Sequence, residues 1–205
     1  VKLKNILIII LLVLATTSTS ACIYLEPSKN VEITLKTNGS DVQVETSNTF
    51  FFFDTVPISM KREMANKALE DIYSDTSTVE SIKNDMQEIA EVYGYNVTVT
   101  IDSQFGTDQL PMVATVNGTS MVPTLQNGQN VVLVKTKDFK VGDIVVARHP
   151  EHGLIVKRVA QIKGDQVYLM SDNREVVITN NYIIKGLDTW LPIENVVGVV
   201  QDINT

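Results

Sequence analysis

The chain has 205 residues, 44% hydrophobic and 20% charged, with a formal net charge of −7. Those proportions suit a folded chain with a sizeable core, and the acidic balance argues against a nucleic-acid partner, which calls for a basic face. A single Cys excludes an intramolecular disulfide framework and a Cys-based zinc cluster, and two His, both in His149-Pro150-Glu151-His152, leave little material for a Ser–His–Asp triad.

Charge divides the chain. Residues 1–25 carry only Lys2 and Lys4; residues 26–112 hold 6 basic and 15 acidic side chains; residues 113–205 hold 9 of each. The expected organisation follows from this: a leader over 1–25, an acidic α+β accessory module over 26–111, and a β-rich domain over 112–205. In the leader, Lys2 and Lys4 precede an uncharged stretch from Ile6 to Leu25. At 1.5 Å per residue it is long enough to span a bilayer as a helix. It reads as an uncleaved signal anchor, with a cleaved signal peptide as the alternative because small residues stand at 18–21. Either way the positive end stays in the cytoplasm and the rest lies outside, so the chain is expected in the membrane as a single-pass protein. Asn-x-Ser/Thr triplets at Asn38, Asn96 and Asn117 are compatible with export.

In the acidic segment, residues 31–35 and 42–44 alternate apolar and polar around Asn38-Gly39, a strand–turn–strand pattern. The aromatic run 50–53 reads as a core strand. Residues 59–73 read as a helix, with Met60, Met64, Ala68 and Ile72 at intervals of four on one face. A second helix is expected from Ser77 or Thr78, with Glu80 three after Ser77 as a capping box, ending at Gly94. Residues 95–101 alternate as a strand. No chemistry is visible in this segment.

After residue 112 the pattern becomes short β runs at 131–134, 144–147, 154–159, 167–170, 176–178 and 196–200. Turn signals such as Asn127-Gly128, Gly142-Asp143 and Lys163-Gly164-Asp165 separate them. This pattern predicts a compact, mainly β domain with a rolled sheet. Within it, Ser120 sits between a Gly-containing and a Pro-containing turn. Lys157 interrupts the apolar strand 154–159 on the face of Ile155 and Val159, and a Lys is seldom buried unless paired. Read alone, each is an inert loop serine and a snorkelling strand lysine.

Together they resemble the serine–lysine peptidases of the signal peptidase I and LexA-like clan. The stretch Gly118-Thr119-Ser120-Met121-Val122-Pro123-Thr124-Leu125 matches that family's nucleophile box. Gly142-Asp143-Ile144-Val145 followed by Val156-Lys157-Arg158 resembles its base strand, and Ser171-Asp172-Asn173-Arg174 is similar to its Gly-Asp-Asn-Arg box, with Ser for Gly. The resemblance implies a Ser120–Lys157 catalytic dyad and a substrate and oxyanion loop at Gly118, Thr119, Ser120 and Met121, with the Ser120 N–H binding the oxyanion. It makes Pro123, Arg158, Asp172 and Asn173 supporting residues. It implies a membrane-anchored, signal peptidase-like endopeptidase that cuts exported precursor proteins, with no cofactor and no metal. A LexA-like self-cleaving protein or an inactive scaffold on the same fold are the alternatives. No Gly in the chain follows Ala or Cys, so the bond that self-cleaving relatives cut is missing. Asp143 and Asp172 read as turn residues, and 149–152 as a solvated turn. The family's auxiliary hydroxyl is unassigned: Ile155 stands two before Lys157, leaving Ser171 and Thr179 as candidates.

The chemistry explains the residue types. A serine hydroxyl needs a base, and a lysine serves only when neutral, which a free one is in about one molecule in 2,500 at pH 7. Removal from water disfavours the ammonium form and raises that fraction.

Overall fold

The computed structural model describes residues 29–47, 56–178, 183–184 and 186–203. The leader over 1–25, the aromatic run 50–53 and Thr179 lie outside the described residues. Among those described, no helix is long and apolar enough to cross a membrane.

β1 (Lys29–Thr37) and β2 (Val42–Ser47) form the expected antiparallel hairpin. The Asn38 side chain turns it by accepting from the Ser40 and Asp41 N–H groups, and Gly39 takes the positive φ of 93°. α1 (Ile58–Tyr73) and α2 (Val79–Val92) follow. Met60, Met64, Ala68 and Ile72 of α1 are all at most 1% exposed, as spacing of four on one face requires. The cap of α2 differs from the expected Ser77–Glu80 pair. Thr78 accepts from the Ser81 N–H, and Ser81 Oγ accepts from the Thr78 N–H. Ser77 is turned inward instead, its hydroxyl donating to backbone carbonyls at the end of α1. Gly94, at φ 79°, ends α2. β3 (Tyr95–Ser103) then runs parallel to β1, and the two helices form the crossover that a parallel pair needs. With β4 (Gly106–Thr107) the order is β2-β1-β3-β4.

The second sheet is antiparallel and has seven strands, in the order β12-β9-β8-β7-β13-β6-β5. They are β5 (Pro111–Thr115), β6 (Asn130–Val134), β7 (Ile144–His149), β8 (Gly153–Lys163), β9 (Gln166–Met170), β12 (Thr189–Pro192) and β13 (Val196–Ile203). A small hairpin, β10 (Val177–Ile178) with β11 (Ile183–Ile184), stands apart. The sequence pattern missed β5 and β12: β5 follows a polar turn and opens with Pro111, and β12 is four residues long. Bulges in β8 and β13 bend the strands. β5 and β8 lie four steps apart in the sheet, about 19 Å if it were flat, yet they line one cleft. The sheet is therefore curled, the rolled form expected.

The core is continuous between the sheets. One buried cluster joins Ile33 and Leu35 of β1, the apolar stripes of both helices, Met112 of β5, Leu133 of β6 and Val146 of β7. Lys135, just past β6, reaches back to the end of α1. Its Nζ donates to the Asp71 and Ser74 carbonyls (3.0 and 2.5 Å) and to Ser77 Oγ (2.7 Å). These are carbonyls that a helix end leaves without intrahelical partners. Burial pushes the Lys135 ammonium down to about 8, against the pull of Asp71 and Asp75.

Gly198 marks where β13 presses hardest on β6. A Cβ there would stand 2.3 Å from the Val134 carbonyl oxygen and 2.8 Å from a Leu133 methyl. The first obstacle is backbone and cannot rotate away. Gly198→Ala is expected to lose about 1–3 kcal/mol of stability in urea denaturation; an unchanged midpoint would mean the strands are not this close.

Candidate active site

The loop between β5 and β6 carries Ser120. Its base continues the strand pair, with the Val116 N–H donating to the Gln129 carbonyl and the Gly128 N–H to the Val116 carbonyl, both at 2.8 Å. Its far end is pinned by packing. Met121 (1% exposed) and Leu125 (0%) sit in a cluster with Val116, Val131 and Ile144. Gly118 has φ 98°, a conformation that side chains disfavour. Among the described residues, no atom beyond its chain neighbours lies within 4 Å of where its Cβ would be, so it is backbone conformation that calls for glycine there.

Lys157 lies on β8 opposite Val145 of β7 and is only 4% exposed. Its Nζ is 2.7 Å from Ser120 Oγ, to which it donates, and 3.1 Å from the Val156 carbonyl oxygen. Two residues 37 positions apart in the chain thus meet in one hydrogen bond. Burial pushes the Lys157 ammonium below the ordinary lysine range, while the Asp188 and Asp172 carboxylates pull the other way. Each unit of lowering multiplies the neutral fraction tenfold near neutrality. Val159 beside it is 1% exposed and Ile155 partly buried, forming the dry strand face expected. Ser120 and Lys157 open onto a cleft of about 460 Å³. Residues 114–117 form one wall and 154–157 the other, and His152 sits at its rim.

The third sequence box wraps the Ser120 loop from outside. The Asn173 N–H donates to the Ser120 carbonyl (2.9 Å), and Asn173 Nδ2 to the Thr119 carbonyl (3.0 Å). Asp172 is more than a turn residue. Arg158 grips it through Nε (2.7 Å) and Nη2 (2.5 Å), Thr124 Oγ1 donates to it (2.6 Å), and Arg158 Nη1 reaches the Gly142 carbonyl (2.7 Å). The Arg158 guanidinium holds the Asp172 carboxyl below its ordinary range. Asp143 is a turn residue as expected, accepting from the Lys140 N–H (2.9 Å). Pro123 is exposed and follows a cis peptide bond. His149 and His152 stack at the tip of the β7–β8 hairpin, their ring centroids 4.6 Å apart.

The profile of the peptidase S24-like family matches residues 79–184, just over half of the chain. The chain belongs to this family. It therefore stands with the LexA and signal peptidase I-like serine peptidases, as its three boxes suggested. The S24-like match begins at the first residue of α2, well before the first of the three boxes at 118–125, and extends through the box at 171–174. No curated protein matches the chain at a significant level.

Three residues of this S24-like site escaped the sequence reading. Asp188 accepts from the Ser171 N–H (3.0 Å) and from Arg174 Nη1 (2.7 Å), and it is the carboxylate that most favours the charged form of Lys157. Gly186 makes room for Ser171, whose Cβ and Oγ would both lie 2.5 Å from a Cβ at 186. Asn127 accepts from the Gly118 N–H. The only signals were Asn127-Gly128, read as a turn, and an unremarked Gly186-Leu187-Asp188. Ser171, one of the two candidate auxiliary hydroxyls, is buried and donates to the Leu187 carbonyl (3.0 Å). In this arrangement its bond goes to that carbonyl and not to Lys157.

Asp172→Asn is expected to cost about 1–2 kcal/mol at pH 7, because it removes one charge from a pair that is only partly buried. Asp172 has a lowered folded pKa. The difference between wild type and variant should thus be complete above the ordinary Asp value of about 3.9 and vanish as pH falls through the folded one. Urea melts across that range check it; a difference independent of pH would remove the charge from the argument.

Proposed function

We propose that this chain is a serine endopeptidase in which Ser120 is the nucleophile and Lys157 its general base. The observation that carries this is the 2.7 Å contact between a hydroxyl and a lysine amine that is 4% exposed. Neutral Lys157 takes the proton as Ser120 Oγ bonds to the scissile carbonyl carbon. The Ser120 N–H stabilises the resulting oxyanion. The C–N bond then breaks, and the proton passes from Lys157 to the leaving amine. Water, activated by the same amine, hydrolyses the acyl-enzyme. The Gly118 N–H takes no part in this, since Asn127 Oδ1 already holds it at 2.8 Å.

The substrate is an exported precursor protein, and the enzyme is a membrane-anchored, signal peptidase-like one with its cleft outside the cytoplasm. The basic-then-apolar sequence of residues 1–25 supports the anchor. The form of the cleft supports an extended polypeptide substrate. Among the described residues β5 is an edge strand, and residues 154–157 of β8 pair on one side only, with β7, because β9 joins from Arg158 onward. Two strand edges without a partner among the described residues flank Ser120, and an extended chain is the ligand whose N–H and C=O groups match such edges.

Wild type incubated in detergent with exported precursors is expected to yield new N-termini, located by sequencing. Ser120→Ala and Lys157→Ala should each lower the rate by at least about 10³-fold. Retained cleavage in either variant would reject the dyad, and a cytosolic pool on cell fractionation would reject the anchor.

The pH profile gives a separate check. The rate should rise with pH as Lys157 loses its proton, with a midpoint below that of a free lysine. A rise only at the ordinary lysine value would mean that the amine is not kept dry.

A further inference from the structure

Between the packed ends of the Ser120 loop, residues 117–119 are exposed. Gly118 lies there with open space around its Cβ position and a φ of 98°. A glycine in that region has several conformations within reach, and among the described residues no atom beyond its chain neighbours lies within 4 Å of the Cβ position to select among them. Among the described residues, what holds it is a bond across the loop, from the Gly118 N–H to Asn127 Oδ1, at 2.8 Å. Asn127 is itself held in place, since the Gly128 N–H that follows it donates to the Val116 carbonyl at the loop base. On the outer side, Asn173 holds the carbonyls of Thr119 and Ser120. Among the described residues, the backbone leading to Ser120 is thus held by an accepting amide on one side, Asn127, and a donating one on the other, Asn173, while the Val122 N–H also donates to the Thr119 carbonyl at 3.2 Å.

We propose that Asn127 is a positioning residue for the reaction. By accepting from the Gly118 N–H it fixes the peptide two residues before Ser120, and so fixes where Ser120 Oγ and the Ser120 N–H stand relative to Lys157 and the oxyanion. It touches neither substrate nor Lys157, and acts through the loop backbone alone. The role requires an acceptor at this position, not an amide: a carboxylate serves and a methyl does not. The proposal rests on the Ser120–Lys157 reading above.

The test is the rate at which Ser120 is acylated by a penem, a β-lactam that reacts with serine nucleophiles, followed by intact mass. The proteins are wild type, Ser120→Ala, Asn127→Ala and Asn127→Asp. Asn127→Ala should be acylated about tenfold more slowly, a displaced nucleophile being a geometric loss. Its Tm and the pH midpoint of acylation should match wild type, since core and Lys157 burial are untouched. Asn127→Asp should return to within about twofold of wild type, because it keeps the acceptor. Acylation of Asn127→Ala at the wild-type rate would overturn the proposal. So would equal slowing of Asn127→Ala and Asn127→Asp, or slowing of Asn127→Ala with a shifted pH midpoint. Wild type no more reactive than Ser120→Ala would overturn the serine–lysine reading itself and this inference with it, an outcome visible without the Asn127 variants.

Discussion

An amine held out of water beside a hydroxyl is the constraint on which this site depends. Burial lowers the proton affinity of Lys157, and two carboxylates act against it. Those carboxylates are not left to pair with the lysine. Asp172 is held by Arg158 and Thr124, and Asp188 by Arg174 and the Ser171 N–H. Much of their charge is answered locally, so Lys157 keeps a serine and a carbonyl as hydrogen-bond partners rather than an ion pair. A lysine ion-paired to either carboxylate would sit in the same place and be held in its charged form.

The curl of the second sheet turns this electrostatic arrangement into a site. Lys157 belongs to β8 and Ser120 to the loop that leaves β5, at opposite ends of a run of five adjacent strands. Bulges in β8 and β13 bend the strands, and the loop folds across with Met121 and Leu125 buried beneath it. The box at 171–174 closes over the outside through Asn173. Ser120 is thus fixed by packing below it and hydrogen bonds on either side, which leaves its cleft side open.

The acidic segment is built into the same body. Its helices share a buried cluster with β5, β6 and β7, and Lys135 ties the end of α1 to the end of β6. The family match also begins at the start of α2 rather than at the first strand of the second sheet. The change in charge near residue 112 is a property of surfaces, and a surface property does not report where a hydrophobic core begins or ends.

The stripe Met60, Met64, Ala68, Ile72, the hairpin at Asn38-Gly39 and most strands of the second sheet were legible in the residues, because periodicity and turn chemistry are local. So were Ser120 and Lys157, whose two boxes carry the family resemblance. β12 was too short for its pattern to stand out, and the cap of α2 went to Thr78 and Ser81 because Ser77 was drawn inward by the end of α1. Only the tertiary structure decided that Lys157 is dry, that Asp172 answers Arg158, that Asp188 stands near the lysine, and that Asn127 holds Gly118. Each of these depends on distances between residues far apart in the chain. Residue identity says which groups can ionise or accept a hydrogen bond; the water and the partners around them are set only when the sheet has curled.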